Sequence, residues 1–128
     1  MVIVTPWLSA WAQTDSLGQQ TIYEFAEEAP QFPGGSTAWH QYLQTNLKYP
    51  PSALKSGLED RIFVNFVVTQ QGKVTDVHAL THPNKVYNPD LVREAERLIQ
   101  NMPAWIPGKV GGRAVACRFN MPITFSLK

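Results

Sequence analysis

The chain has 128 residues, with eleven basic and ten acidic side chains and a formal net charge of +1; the length allows one domain with one core, and the balance excludes an electrostatic grip on nucleic acid. Apolar residues make up 44% and charged residues 16%, which fits a packed globule and excludes general disorder. One cysteine, Cys117, excludes an internal disulfide and any Cys-x-x-C zinc or redox site.

Met1 to Ala12 reads MVIVTPWLSAWA, apolar and uncharged, and Ala10-Trp11-Ala12 before Gln13 fits the small-x-small pattern of a signal-peptidase site. Residues 1–12 are expected to be the end of a secretory signal. No basic residue precedes the short run, which points to a chain that begins late. The alternative is a buried N-terminal strand or helix. The run falls far short of the roughly 20 apolar residues of a spanning helix, and no other run comes close, so no membrane span is expected. In an oxidising compartment an exposed thiol is a liability, so Cys117 is expected to be buried.

Residues 13–35 read as linker and turn, and residues 36–128 as the folded domain. Within the linker, Ile22, Tyr23 and Phe25 stand out as a short strand or clip. Gln31-Phe32-Pro33-Gly34-Gly35 is a turn by composition. Ser36 is the expected N-cap of a first helix, with Trp39, Tyr42, Leu43 and Leu47 as its apolar stripe and Lys48 in its last turn. Tyr49-Pro50-Pro51 stops it, and Pro51 opens a short second helix that Gly57 ends.

Two strands follow. In Arg61–Thr69, Ile62, Val64, Phe66 and Val68 share one face, and Phe63 and Val67 make the other partly apolar, as suits a central strand. Gln70-Gln71-Gly72-Lys73 is the turn. Val74–Thr81 returns, and its apolar spacing of three (Val74, Val77, Leu80) suggests a bulge or a short regular stretch. A long helix over 88–102 is capped by Asn88 and opened by Pro89. Its inner stripe is Leu91, Ala95, Leu98, Ile99 and Met102, with Arg93, Glu94, Glu96 and Arg97 outside, and Pro103 ends it. From Val115 to Leu127 apolar residues alternate without a break, a strand with one face on a core. Pro122 cannot donate to a ladder and places this strand at a sheet edge, at least locally. The expected fold is α+β: a three-stranded antiparallel sheet of order 2-1-3 with helices on one face.

No constellation for chemistry is apparent. His40, His78 and His82 are not at ligand spacing, so no metal is expected. Glu27 and Glu28 are adjacent, point apart and read as solvated. Gly111-Gly112 is too short to cradle a phosphate and reads as a turn. No nucleophile elbow, P-loop or dinucleotide fingerprint occurs. Trp39, Trp105, Phe66 and Phe119 read as core and not as a base-stacking platform. Neither a catalytic residue nor a cofactor is expected, so the residues do not point to an enzyme.

Taken in order, several motifs resemble the C-terminal domain of TonB-type energy transducers. They are Tyr49-Pro50 with Ala53 and Gly57, Ile62-Phe63-Val64-x-Phe66-x-Val68, Gly72-x-Val74-x-x-Val77, Trp105-x-Pro107-Gly108, and Val115–Leu127 with Pro122-Ile123-x-Phe125. Pro30-x-Phe32-Pro33-Gly34-Gly35 is similar to the form found in Bacteroidetes-type bacteria. The resemblance covers about residues 30–128. It departs at Asp60, where a glycine is usual, so the turn into the first long strand is expected to differ. Full transducers also carry an inner-membrane anchor and a Pro-rich periplasmic spacer, which these 128 residues lack.

The resemblance implies a periplasmic module whose partner is an extended N-terminal peptide of an outer-membrane receptor. The alternative is a free-standing periplasmic adaptor with a different protein partner. An edge strand offers unpaired N–H and C=O groups to one more strand, so the expected docking residues are Ala114, Ala116, Cys117, Arg118, Phe119 and Asn120. Arg118 and Asn120 have two open readings, as charges that deter aggregation or as a rim for the incoming strand. The same edges suit pairing of two copies.

Overall fold

The computed structural model describes residues 21–127. The expected export signal over residues 1–12 lies outside the described residues, as does the linker to residue 20. The chain runs β1 (Ile22–Tyr23), α1 (Gly35–Asn46), α2 (Pro51–Lys55), β2 (Asp60–Val68), β3 (Val74–Leu80), α3 (Pro89–Gln100), β4 (Gly108–Val110) and β5 (Arg113–Phe125).

The sheet has five strands, in the order β1-β5-β2-β3, with β4 also paired to β5. The expected three-stranded antiparallel sheet is therefore corrected. The three long strands do lie in the expected order, with β2 in the centre. The two added strands are short, and β1 runs parallel to β5. The β2–β5 register places Ile62, Val64, Phe66 and Val68 opposite Ile123, Met121, Phe119 and Cys117. Those residues share one face, and Ile62, Val64, Phe66 and Ile123 are completely buried. Of the bulge or short regular stretch expected in β3, the bulge is present. Asn65 pairs with His78 but Val67 pairs with Thr75, so β3 has one extra residue, and Asp76 there takes φ 52.

Helix α3 forms because Asn88 Oδ1 accepts the N–H groups of Asp90 and Leu91, and Pro89 takes a position that needs no N–H. It buries Leu91, Ala95, Leu98 and Ile99. Helix α1 starts differently from the expected Ser36 cap. Gly34 is the N-cap at φ 86, no side chain caps the helix, and Gly35 N–H donates to Phe32 O. Its stripe of Trp39, Tyr42 and Leu43 is only partly buried against the core. Lys48 lies beyond the helix, which ends at Asn46.

Glu94 is buried at 8% exposure, although its position predicts an outward side chain. It accepts from Arg97 Nε at 2.7 Å and from the Lys48 backbone N–H at 2.7 Å. Arg97 in turn donates to Asn46 O, and Tyr42 donates to Leu98 O. The carboxylate thus fastens α3 to the end of α1 by satisfying backbone groups left over there. Burial opposes its charge, but the Arg97 and Lys48 hydrogen bonds outweigh burial and hold the carboxyl below its usual range.

A carboxyl depressed by folding contributes stability above its unfolded pKa, about 4.3, and that contribution is lost as pH falls through the lower folded value. Urea midpoints measured from pH 6 to pH 3 should therefore fall more steeply for the parent than for Glu94→Gln. Leu98 is fully buried under the sheet, and Leu98→Ala should cost about 2–5 kcal/mol; an unchanged denaturant midpoint would contradict the packing of α3.

Candidate functional site

Strand β5 is paired to β2 from Cys117 to Phe125. Its remaining partners are local. Gly111 and Gly112 take φ 58 and 79 and turn the chain tightly, so that β4 pairs back with Arg113–Val115. Beyond that, Ile22 lies opposite Ala116 and Tyr23 opposite Cys117, on the side away from β2. The expectation of one continuous open edge over Ala114–Asn120 is thus corrected. Ala114 faces Lys109, and Ala116 and Cys117 face β1. From Arg118 onward, no strand among the described residues pairs with β5 on the side away from β2.

The first strand peels off at this point. Residues 24–31 swing across to pair with β4 and the segment just before it, through Glu28 with Lys109 and Gln31 with Ile106. Between that crossing segment and β5 lies a cleft of about 390 Å³, with Glu24, Phe25 and Pro30 on one side and Cys117–Asn120 on the other. Phe25 is 89% exposed on its rim. Pro30 and Phe119 also border a second groove of about 270 Å³, on the core face of the sheet beside Phe32, Trp39, Trp105 and Met121.

Of the expected site residues, Arg118 lies on the outer face of the sheet, where its guanidinium donates to Asn65 Oδ1 at 2.9 Å and Asp76 Oδ2 at 3.0 Å, with Glu24 at 3.8 Å. Asn120 accepts from Asn65 Nδ2. These two side chains knit β5 to β2 and β3 and are not a free rim. Phe119 turns to the core face against Phe66 and Trp105. Cys117 is buried, as expected, and burial first, with the Glu24 charge second, pushes its thiol pKa up and keeps it protonated.

Trp39, Trp105, Phe66 and Phe119 do form a core aromatic cluster, joined by Phe32 and Tyr42. Within it Trp105 is 4% exposed, and its Nε1–H has no acceptor among the described residues. A roomier cleft of about 660 Å³ on α3 includes Asp90, Arg93, Glu94 and Arg97, but these charges are paired with one another. Glu27 accepts from Gly111 N–H, so it closes the β4–β5 turn. His40, His78 and His82 each hydrogen-bond locally in separate places, and no metal-binding group of three His, Cys, Asp or Glu occurs among the described residues.

The family model described as Gram-negative bacterial TonB protein C-terminal matches residues 45–127, which span the whole unit from the end of α1 to β5. The chain belongs to this family. Its fold is similar to the NMR solution structure of Helicobacter pylori TonB-CTD (residues 194-285), at 22% identity and TM-score 0.51, over 72% of this chain and 92% of that one. A second Helicobacter pylori TonB-CTD solution structure (residues 179-285) aligns at 24% identity and TM-score 0.47, over 75% and 87%. No curated protein matches the chain. TonB C-terminal domains act in the Gram-negative periplasmic space and in general interact with outer-membrane receptors. No helix among the described residues is long and apolar enough to cross a membrane.

In this TonB C-terminal domain the groove wall depends on a glycine of the family-like motif. Gly72 has φ 83, and its carbonyl accepts Trp105 N–H at 2.8 Å. A Cβ there would lie 2.1 Å from Trp105 O, closer than atoms approach. Gly72→Ala should therefore cost at least about 1–3 kcal/mol and shift the Trp105 indole resonance. A parent-like urea midpoint and spectrum would show that the Gly72–Trp105 contact does not fix the groove.

Proposed function

We propose that this chain is a non-catalytic binding module. It docks an extended peptide of an outer-membrane TonB-dependent receptor by strand addition to β5 from Arg118 onward. The observation that carries the reading is the run of β5 backbone that no strand among the described residues pairs with there, beside an accessible cleft. Unpaired N–H and C=O groups on a regular strand are a template for one more strand.

The opposite edge of the sheet is less suited. Strand β3 is bulged at Asp76, and its Ala79 N–H is already donated to Glu96 at 2.8 Å. Strand β5 keeps an even register along the whole of β2. Each added backbone hydrogen bond contributes about 0.5–1.5 kcal/mol net, and ordering a flexible peptide offsets much of that. Affinity is therefore modest and exchange fast, which suits a contact made and broken repeatedly during energy-coupled transport. Pro122 withholds one N–H from the strand.

The test is an NMR titration of the folded domain with ten-residue peptides from the N-termini of outer-membrane receptors. Amides between Arg118 and Phe125 should shift and gain protection from exchange, with fast exchange at micromolar peptide or above. Protection confined to β3, or no protection anywhere, would falsify the reading. Protection of β5 that depends only on protein concentration would instead mean that a second copy fills the edge.

A further inference from the structure

We infer that the groove beside Phe32, Trp39, Trp105, Phe119 and Met121 is a side-chain subsite, which takes one aliphatic or aromatic side chain of the docked peptide. This subsite rests on the proposed strand addition and fixes what that strand must carry.

Phe119 and Met121 are on the core face of β5, in register with Phe66 and Val64 of β2. Both remain only half-buried, and no strand among the described residues pairs beyond them on the side away from β2. A strand added there sends alternate side chains to opposite faces. Those opposite Phe119 and Met121 lie on the core face, with cross-strand Cβ atoms about 4.5–5.5 Å apart. The groove occupies that position, between β5 and the wall made by Pro30, Phe32 and the first turn of α1. Its volume of about 270 Å³ lies below the roughly 300–1,000 Å³ of small-molecule sites and suits one side chain.

The surface chemistry changes across the strand. On the core face the incoming side chain meets aromatic rings and Met121. On the outer face its two neighbours meet Arg118 and Asn120. The matching peptide reads polar–apolar–polar, with the apolar residue larger than alanine. A second observation marks the same wall. Trp105 lines the groove and is 4% exposed, yet its Nε1–H has no acceptor among the described residues. Buried donors are almost always paired, so this wall differs from a finished piece of core.

The experiment uses the receptor peptide that binds in the titration above, with each apolar residue replaced in turn by Ala. One replacement should weaken binding about tenfold, as expected for losing a few buried methylenes. In the unsubstituted peptide that same residue should give NOEs to the Trp39, Trp105 and Phe119 rings. A protein variant completes the cycle. Ser36 is exposed in the first turn of α1 and borders the groove, so Ser36→Phe fills it without disturbing the core. It should weaken the parent peptide about tenfold and leave the Ala-substituted peptide within twofold. If β5 amides are protected while no peptide side chain reaches these rings, the subsite is wrong and the edge reading stands. Equal affinities for every Ala-substituted peptide would likewise overturn the subsite alone. If no peptide protects β5, both fall together.

Discussion

The β2–β5 ladder runs unbroken from Asp60 opposite Phe125 to Val68 opposite Cys117. Because strand side chains alternate with period two, this one register sends Ile62, Val64 and Phe66 to the same face as Ile123, Met121 and Phe119. A slip of β5 by one residue would bring Arg118 and Asn120 to the core face and turn Phe119 and Met121 to water. Such a slip costs a buried charge and the whole apolar face at once, so the register is strongly specified. The helices follow from it. Leu91, Ala95, Leu98 and Ile99 of α3 need an apolar sheet face to cover, and α1 is then fastened to α3 by Glu94, Arg97 and the Tyr42 hydroxyl.

With the register fixed, the two edges of the sheet differ for reasons local to each. On β3 the extra residue at the bulge carries Asp76, whose carboxylate is used by Arg118, and Glu96 of α3 takes the Ala79 N–H. Bulges, charges and helix cover are the usual ways a sheet edge is kept from pairing with another chain. On β5 those devices act elsewhere. The first five residues are covered by the chain's own short strands, and the polar side chains Arg118 and Asn120 are drawn back over β2. The core face of the edge is left apolar. An edge that combines free backbone with an apolar groove is a hazard unless it has a use, so the asymmetry is informative about function.

The long elements were legible in the sequence because each carried many agreeing signals. The Val115–Leu127 alternation, the Asn88-Pro89 start of α3, and the β2 pattern ending at Gly72 each combine periodicity with a cap or a turn. The spacing of three in β3 marked an irregularity, which the register resolves as a bulge. What sequence reasoning missed is short or depends on long-range partners. Strand β4 is three residues long and is made by the Gly111-Gly112 turn. Strand β1 was expected as a short strand or clip at Ile22 and Tyr23, but its partner was not: its parallel pairing joins them to Ala116 and Cys117, at the far end of the sequence. These two strands decide where the open edge begins, which is why the expected docking residues Ala114, Ala116 and Cys117 proved to be paired already. The cap of α1 was misplaced because Gly34 and Gly35, both at positive φ, could serve the turn and start the helix together. Glu94 was misread because its helical position is correct for solvent, and only the end of α1 makes it a buried acceptor. The walls of the grooves, Glu24, Phe25 and Pro30, had one sequence signal: Ile22-Tyr23 followed by Phe25 in an otherwise polar stretch.

The crossing segment links these features. Two residues of parallel pairing are too few to hold an isolated strand in place, so β1 depends on the bonds that follow it. Glu28 and Lys109 exchange both backbone hydrogen bonds, as do Gln31 and Ile106, at 2.8–3.0 Å. This contact is close because position 108 is glycine. A Cβ at Gly108 would lie 3.1 Å from the Ala26 Cβ, 3.2 Å from Glu28 O and 3.2 Å from Pro30 Cδ. The Pro107-Gly108 part of the family-like motif therefore sets how near residues 26–30 approach the sheet, and with it the width of the cleft along β5. A slot whose width is fixed by backbone-to-backbone contact need not be assembled when a peptide arrives. The ordering cost of binding then falls mainly on the peptide. In the strand addition proposed above, a sequence preference would then come from the groove, while a few backbone bonds supply the attraction.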